Sequence, residues 1–134
     1  MVFGLFKKNA SEDVTVYADV VVVSLQKAAY YADARNGLIE LLDKAIADSP
    51  TGNVVVEMQK VTQFTSGPLG ALVVSARKAE EKGGKLALAA SVSGFVGKVL
   101  STATTSSESP SYPDVRAALS AMSTQAASAY DKAN

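Results

Sequence analysis

Residues 53–72, NVVVEMQKVTQFTSGPLGAL, carry the strongest structural signal in this chain. Residues 54–58 form a short apolar and β-branched run of the kind found inside parallel sheets. After a polar loop, residues 69–82 place apolar side chains on one helical face and charged side chains on the other. The apolar face consists of Leu69, Leu72, Val73 and Ala76. The segment therefore predicts a buried strand, a loop and an amphipathic helix, in that order.

The same alternation of strand and helix precedes this segment. Residues 14–17 and 20–25 are rich in valine and are separated by two turn residues, which predicts a hairpin whose second strand is buried. Apolar residues then recur every three or four positions over residues 34–48, with Asp33 as the expected N-cap. The N-terminal part thus predicts a hairpin followed by an amphipathic helix.

A further strand and helix follow the segment. Gly83 suits the left-handed cap that ends the helix 69–82. Residues 85–90 predict the next strand, and either Ser91 or Ser93 is expected to cap a short helix after it. The apolar stripe of that helix consists of Phe95, Val96, Val99 and Leu100.

The C-terminal region gives a weaker signal. Residues 102–111 are polar and predict a loop with at most one weak edge strand. Pro113 suits the first turn of a last helix, and Asp114 complements its positive end. We expect this helix to fray beyond Ala126, because its apolar face is sparse.

Strands that alternate with helices predict an α/β fold with a mixed, mostly parallel sheet, an N-terminal hairpin and about four helices. The length of 134 residues fits a single domain over residues 1–134. Its core is expected over about residues 13–126, with frayed termini.

Composition restricts the classes of function. The chain has 13 basic and 13 acidic residues and neither cysteine nor histidine. A net charge of zero produces no field that attracts nucleic acid. The missing residue types remove disulfides, thiolate nucleophiles, the commonest zinc ligands and the usual general base near neutral pH. We therefore expect no enzyme activity, no metal, no cofactor and no nucleic-acid partner.

No apolar run approaches the roughly 20 residues that span a membrane. Residues 1–8 place apolar residues before two lysines, whereas a signal peptide has its positive charge first. We expect a cytoplasmic protein without stable membrane insertion. Its first residues are expected to form a frayed or packed terminus, with a short membrane-touching tail as the alternative.

Three stretches carry a resemblance to a known family. They are residues 53–58, residues 61–72 with the loop FTSGPLG at residues 64–70, and residues 82–88 with their Gly-Gly turn. In this combination the chain resembles the STAS domain family, which includes the bacterial anti-sigma factor antagonists. The likeness extends over about residues 19–100 and includes the hairpin, the order of elements and the helix lengths.

The resemblance implies a phosphorylation site in the loop. Family members carry Asp-Ser-Ser-Gly-Leu-Gly there, and a partner that is both kinase and anti-sigma factor phosphorylates the first serine. This places the phosphoacceptor at Ser66, with Thr65 as the less favoured hydroxyl. The loop departs from the family pattern at Thr65, Gly67 and Pro68, and an acidic residue that the family carries after the second strand falls at Tyr30.

The candidate partner-binding surface combines this loop with a tyrosine pair. Its members are Thr65, Ser66, Gly67, Pro68, Leu69, Tyr30 and Tyr31. Tyrosine is favoured at interfaces, but a tyrosine pair that covers the end of a sheet is as common. Either loop hydroxyl can also simply cap the helix, as serine and threonine often do.

The first functional hypothesis is a regulator of bacterial transcription that resembles an anti-sigma factor antagonist. It would bind a kinase-type anti-sigma factor while Ser66 is free and release it when Ser66 is phosphorylated. The altered loop favours an alternative, a STAS-like scaffold or assembly module that is not phosphorylated. The alternative from another class is a small ligand-binding protein or enzyme that uses the region of Tyr30 and Tyr31.

Overall fold

The computed structural model describes residues 7–8, 12–91, 94–104 and 110–134. Three regions of interest lie outside the described residues: the apolar start of the chain at residues 1–6, the expected cap Ser93, and residues 105–109 of the expected loop 102–111. Among the residues described, no helix is both long and apolar enough to cross a membrane.

The described residues form eight strands and five helices. The strands are β1 (Lys7–Lys8), β2 (Glu12–Tyr17), β3 (Val20–Leu25), β4 (Ala29–Tyr30), β5 (Asn53–Glu57), β6 (Gln63–Phe64), β7 (Leu86–Ala89) and β8 (Ser111–Tyr112). The helices are α1 (Arg35–Asp48), α2 (Ser66–Lys82), α3 (Gly94–Ala103), α4 (Val115–Met122) and α5 (Thr124–Ala133). A 3₁₀ turn, Ala32–Ala34, precedes α1.

Six strands form one mixed sheet in the order β1-β2-β3-β5-β7-β8. The strand β2 is antiparallel to both of its neighbours, β1 and β3. The strands β3, β5, β7 and β8 run parallel, with Val22 opposite Val55 at the centre. The hairpin and the mixed, mostly parallel sheet expected from the sequence are confirmed. The two remaining strands, β4 and β6, form a separate parallel pair.

Different helices cover the two faces of the sheet. Successive residues of a strand point to opposite faces. Val21 and Val23 pack with α1, α2 and α3 in one core. Val20 and Val22 pack with α4 and α5 in a second core. The fold therefore has three layers with the sheet in the middle.

Two helix starts differ from the sequence prediction. Asp33 does not cap α1; it lies in the 3₁₀ turn, and the N-cap position is Ala34, which has no side-chain acceptor. The last region becomes helical at Val115 rather than at Pro113. Asp114 is its N-cap, because its carboxylate accepts a hydrogen bond from the Ala117 N–H at 2.8 Å, a stronger role than the favourable charge expected for it.

The expected last helix is two helices, because Ser123 interrupts it. Its hydroxyl accepts a hydrogen bond from the Ala126 N–H at 3.1 Å and so starts α5. The helix continues beyond Ala126, where we expected fraying: Ala126 and Ala127 are buried in the second core, and α5 extends to Ala133. This interruption explains why the part of the chain that is described has five helices rather than about four.

Asp19, in the turn between β2 and β3, connects three parts of the chain. Its carbonyl oxygen accepts hydrogen bonds from Ser49 Oγ at 2.9 Å and from Thr51 Oγ1 at 3.1 Å. Its carboxylate accepts another from Ser123 Oγ at 2.6 Å. The hairpin turn, the end of α1 and the start of α5 meet here. We call this contact the Asp19 junction.

Charged side chains fix α2 against α1. Lys82 Nζ donates to three carbonyl oxygens at the end of α1, at 2.7 to 3.1 Å, and so satisfies groups that the helix itself leaves unpaired. One turn earlier, Lys78 Nζ lies 2.9 Å from a carboxylate oxygen of Asp43. These contacts connect the C-terminal half of α2 to the C-terminal half of α1.

Candidate functional site

The start of α2 presents the two loop hydroxyls at the surface. The helix begins at Ser66, within two residues of Gly67 as the sequence predicts, and both Thr65 and Ser66 are exposed. Thr65 occupies the N-cap position, but its Oγ1 donates to the Tyr30 carbonyl oxygen at 3.3 Å and accepts nothing from the helix. The interpretation of this pair as a side-chain cap is therefore wrong. We call residues 62–70 and 30–35 together the α2 entrance.

The short β4–β6 pair joins the two loops that build the α2 entrance. It places Ala29 opposite Gln63 and Tyr30 opposite Phe64. The N–H group of Gln63 donates to the Ala28 carbonyl oxygen at 3.0 Å. The Thr65 N–H donates to the Tyr30 carbonyl oxygen at 3.1 Å. The segment after β3 and the segment after β5 are thus connected by backbone hydrogen bonds up to the residue before Ser66.

The tyrosine pair divides between the interior and the surface. Tyr30 is buried, its hydroxyl accepts a hydrogen bond from the Lys27 N–H at 3.2 Å, and its ring lies 5.8 Å from that of Phe64. Tyr31 is 50% exposed, and its hydroxyl donates to Gln63 Oε1 at 2.6 Å. Tyr30 therefore supports the α2 entrance from below, and Tyr31 forms part of its surface.

Close backbone packing fixes the first turn of α2. A Cβ atom on Gly67 would lie 3.1 Å from Ala32 Cα in the 3₁₀ turn. Pro68 is buried, Leu69 is half-buried, and the Leu69 N–H donates to the Thr65 carbonyl oxygen at 3.0 Å. The structure therefore brings all the loop residues expected at the site together, with Ser66 and Thr65 outermost.

Sequence reasoning missed Arg35, which the structure adds to the α2 entrance. The Arg35 Nε atom lies 3.7 Å from the position that a Cβ atom on Gly70 would take. No local pattern indicates this neighbour, because Arg35 is 35 positions before Gly70 in the sequence and reaches it only through the packing of the 3₁₀ turn on α2.

A shallow groove of about 210 Å³ lies between the loop that precedes α2 and the start of α3. Met58, Phe64 and Phe95 are among the residues that line it. The sequence assigned Phe95 to the apolar stripe of its helix, but only Val96 and Leu100 of that stripe are fully buried, and Phe95 is 64% exposed. The groove extends the apolar surface next to the α2 entrance.

The α2 entrance offers hydroxyls, the amide of Gln63, the phenol of Tyr31, the guanidinium of Arg35 and the exposed carboxylate of Asp33. Across the described ranges, no set of three or more acidic side chains is placed to hold a metal ion. An exposed hydroxyl at the start of a helix can be modified by a second protein, or can dock against one, without a change of fold.

The profile of the STAS domain family matches residues 12–118, a span that includes the whole α2 entrance. The chain belongs to the STAS domain family. A search of curated protein sequences found no significant match.

Solved structures share this STAS fold at low sequence identity. The protein TM1081, solved by NMR, gives a TM-score of 0.63 at 16% identity, over 85% of this chain and 90% of that one. The unphosphorylated form of the anti-sigma factor antagonist SpoIIAA gives 0.55 at 14% identity, over 82% of this chain and 89% of that one. The murine anion transporter Slc26a9, in its inward-facing state, gives 0.52 at 15% identity, over 99% of this chain but 24% of the transporter. The likeness confirms the α/β fold expected from the sequence.

Proposed function

We propose that this STAS domain is a regulator of the anti-sigma factor antagonist type. It binds a kinase-type anti-sigma factor through the α2 entrance and releases it when Ser66 is phosphorylated. The observation that carries the proposal is the exposed Ser66 hydroxyl in the first turn of α2. The domain occupies residues 1–134, works in the bacterial cytoplasm in the control of transcription, and acts by binding rather than by catalysis.

The frame around Ser66 supports a docking role. Backbone hydrogen bonds between the two loops and the contact of Gly67 with Ala32 hold the first turn of α2 in one position. A surface that is already ordered loses little conformational entropy when a partner binds. Thr65, Leu69 and Tyr31 contribute side chains to this surface, while the buried Tyr30 and Pro68 shape it from beneath.

Phosphorylation changes the charge of this surface. In the transfer step, Ser66 Oγ attacks the γ-phosphorus of ATP held by the partner, a new O–P bond forms, and the bond to the departing ADP oxygen breaks. The hydroxyl proton passes to a base of the kinase. The product carries roughly 1.5 to 2 additional negative charges at pH 7. Binding would desolvate these charges, so the complex with the same partner becomes weaker.

Substitutions at Ser66 test the proposal. Ser66→Asp should weaken binding to the native partner by about tenfold or more, because a charge enters the docking surface. Ser66→Ala should keep binding and abolish phosphorylation, and Thr65→Ala should change binding much less. Titration calorimetry with the partner purified from the native cell measures affinity, and mass spectrometry locates the phosphate.

Thermal melts of each variant serve as the control, since partial unfolding would imitate a loss of binding. If well-folded Ser66→Asp and Ser66→Ala bind the partner as tightly as the parent, and no phosphate occurs on Ser66 in protein from its own cell, phosphoswitching is refuted.

One observation favours a second candidate, a STAS scaffold that is never phosphorylated. The family's second serine is replaced by Gly67, where a Cβ atom would lie only 3.1 Å from Ala32 Cα. Here the loop satisfies a packing requirement that a serine would disturb. The scaffold is the better account of the function if Ser66 carries no phosphate in the cell and substitutions at Tyr31 and Leu69 still weaken binding of the partner.

A further inference from the structure

Arg35, the first residue of α1, packs against the side of α2 on which Ser66 lies. Ser66 and Gly70 are four residues apart in the helix, so their Cβ positions are neighbours about 5 to 6 Å apart on the same side. Arg35 Nε lies 3.7 Å from the Cβ position of Gly70, which is ordinary van der Waals contact. Arg35 therefore lies beside the position that follows Ser66 by one helical turn on the same side of α2.

Two glycines account for this arrangement. At Gly67 the missing side chain lets Ala32 approach, which brings the 3₁₀ turn and the start of α1 against α2. At Gly70 the missing side chain leaves the helix face open. Apart from the helix itself, Arg35 is the only described residue that a Cβ there would meet within 4 Å. The start of α1 thus places a long cationic side chain beside the first turns of α2.

Arg35 has no anionic partner within the described parts of the chain. Three other cations do, because Lys44 pairs with Asp48, Lys78 with Asp43, and Arg116 with Asp131. Arg35 is exposed, and no ion pair or side-chain hydrogen bond to it occurs in the part of the chain that is described. With respect to the described residues, its guanidinium donors are not engaged, and their planar arrangement suits phosphate oxygens.

We propose that Arg35 is the counter-ion for the phosphate on Ser66. This inference rests on the phosphorylation of Ser66 proposed above. In the unphosphorylated protein Arg35 presents a positive charge beside the docking hydroxyl. In the phosphorylated protein the guanidinium pairs with the phosphate, so the modification adds negative charge and engages a cation of the same surface.

This pairing limits what Ser66→Asp can imitate. An aspartate side chain is shorter than phosphoserine, carries one charge and has two oxygens rather than three acceptors on phosphorus. We therefore expect Ser66→Asp to repel the partner without engaging Arg35 in the same way.

The ionisation of the phosphate tests the pairing directly. Phosphoserine is incorporated at position 66 during translation, so that no kinase is required, and ³¹P NMR follows the second ionisation of the phosphate, whose pKa is ordinarily about 6. A neighbouring cation favours the dianion and lowers this pKa. Arg35→Gln should therefore raise it by about 0.5 units or more relative to the parent.

Two variants complete the experiment. Lys132→Gln removes the same charge from the exposed end of α5, on the opposite side of the sheet from α2, and should leave the phosphate pKa unchanged. Arg35→Lys keeps a charge and should give a value between those of the parent and Arg35→Gln, which provides a second reading if Arg35→Gln folds poorly. Equal phosphate pKa values in the parent, Arg35→Gln and Arg35→Lys would overturn the proposal.

The result is independent of the proposed function. Because the phosphate is installed during translation, a failed pairing is observed even if a cellular kinase modifies Ser66 and releases the partner. Conversely, pairing of the phosphate with Arg35 would not show that Ser66 is phosphorylated in the cell. The mass spectrometry and partner-binding measurements described above test that separately.

Discussion

Gly84 follows the left-handed cap Gly83 and lies against the backbone of another turn. A Cβ atom on Gly84 would lie 2.3 Å from the carbonyl carbon of Gly52 and 2.6 Å from its oxygen. Backbone atoms cannot turn aside as the end of a flexible side chain does. We expect Gly84→Ala to lower the free energy of unfolding by about 1 to 3 kcal/mol, as overpacking does elsewhere. Equilibrium urea denaturation measures this change.

Gly37, on the exposed side of α1, is the matched control. A Cβ atom there would meet no described residue within 4 Å outside its own helix. Gly37→Ala should therefore raise the free energy of unfolding by about 0.5 to 1 kcal/mol, because alanine loses less backbone entropy in a helix. Equal effects of the two substitutions would show that the contact with Gly52 is not what requires glycine at position 84.

The position of Ser66 could be predicted from sequence, but its surroundings could not. Pro68 and the apolar periodicity that follows it are local signals, and they place Ser66 at a helix start. Arg35 gives no such signal, because its place depends on a contact between residues far apart in the chain. The sequence also left open whether the pair Tyr30 and Tyr31 forms an interface or covers the end of the sheet. In the structure the two residues divide these roles, since adjacent residues of an extended segment face opposite sides.

A bidentate ion pair connects the helices α4 and α5. Arg116 Nε and Nη2 donate to the two carboxylate oxygens of Asp131, each at 2.9 Å. The hydrogen bond from Arg116 lowers the pKa of Asp131 below its ordinary value of 3.8. The folded state therefore binds this proton less readily than the unfolded state, so the stabilisation is present above about pH 4 and is lost as the pH falls through the folded-state pKa.

Asp131→Asn tests this link. The parent should melt at a higher temperature than the variant near neutral pH, and the difference should shrink as the pH falls below about 4. It should also shrink in about 1 M salt, because both side chains are exposed and salt screens their attraction. A difference in melting temperature that persists unchanged at low pH would assign the effect to packing rather than to charge.

The division of the last helix illustrates a limit of sequence reasoning about elements. The apolar residues of α4 and α5 predict helical structure on both sides of Ser123. Nothing local shows that Ser123 ends one helix and starts another. That outcome depends on Asp19, 104 residues earlier in the sequence, whose carboxylate accepts a hydrogen bond from the Ser123 hydroxyl.

The layering of the fold follows from the order of its strands. The connections from β3 to β5, from β5 to β7 and from β7 to β8 each lead to the adjacent strand, and all three proceed in the same direction across the sheet. Right-handed crossovers then require α1, α2 and α3 to cover one face. The helices α4 and α5 follow the last strand, so no crossover constrains them, and they cover the other face. The alternation of elements was readable from the sequence, whereas the order of strands in the sheet required the structure.

The Asp19 junction implies an order of assembly during folding. Asp19 lies in a hairpin, which forms from contacts close in sequence. Its partner Ser49 is 30 residues away, and Ser123 is 104 residues away. Closing a longer loop costs more chain entropy and leaves more of the chain to be ordered first. The contact with Ser123 should therefore form after the rate-limiting barrier has been crossed.

Rates of folding and unfolding reveal this order. Ser123→Ala removes a helix cap and the bond to Asp19, and it should raise the unfolding rate by about fivefold or more while leaving the folding rate nearly unchanged. Val22→Ala, in the hairpin, should instead slow folding. Slower folding of Ser123→Ala would contradict this order. A late docking of α5 means that a nascent or partly unfolded chain lacks the contact between Tyr17 of β2 and Tyr130 of α5, and exposes the part of the second core that Ala126 and Ala127 cover. This face is then the surface through which such a species aggregates or binds a chaperone.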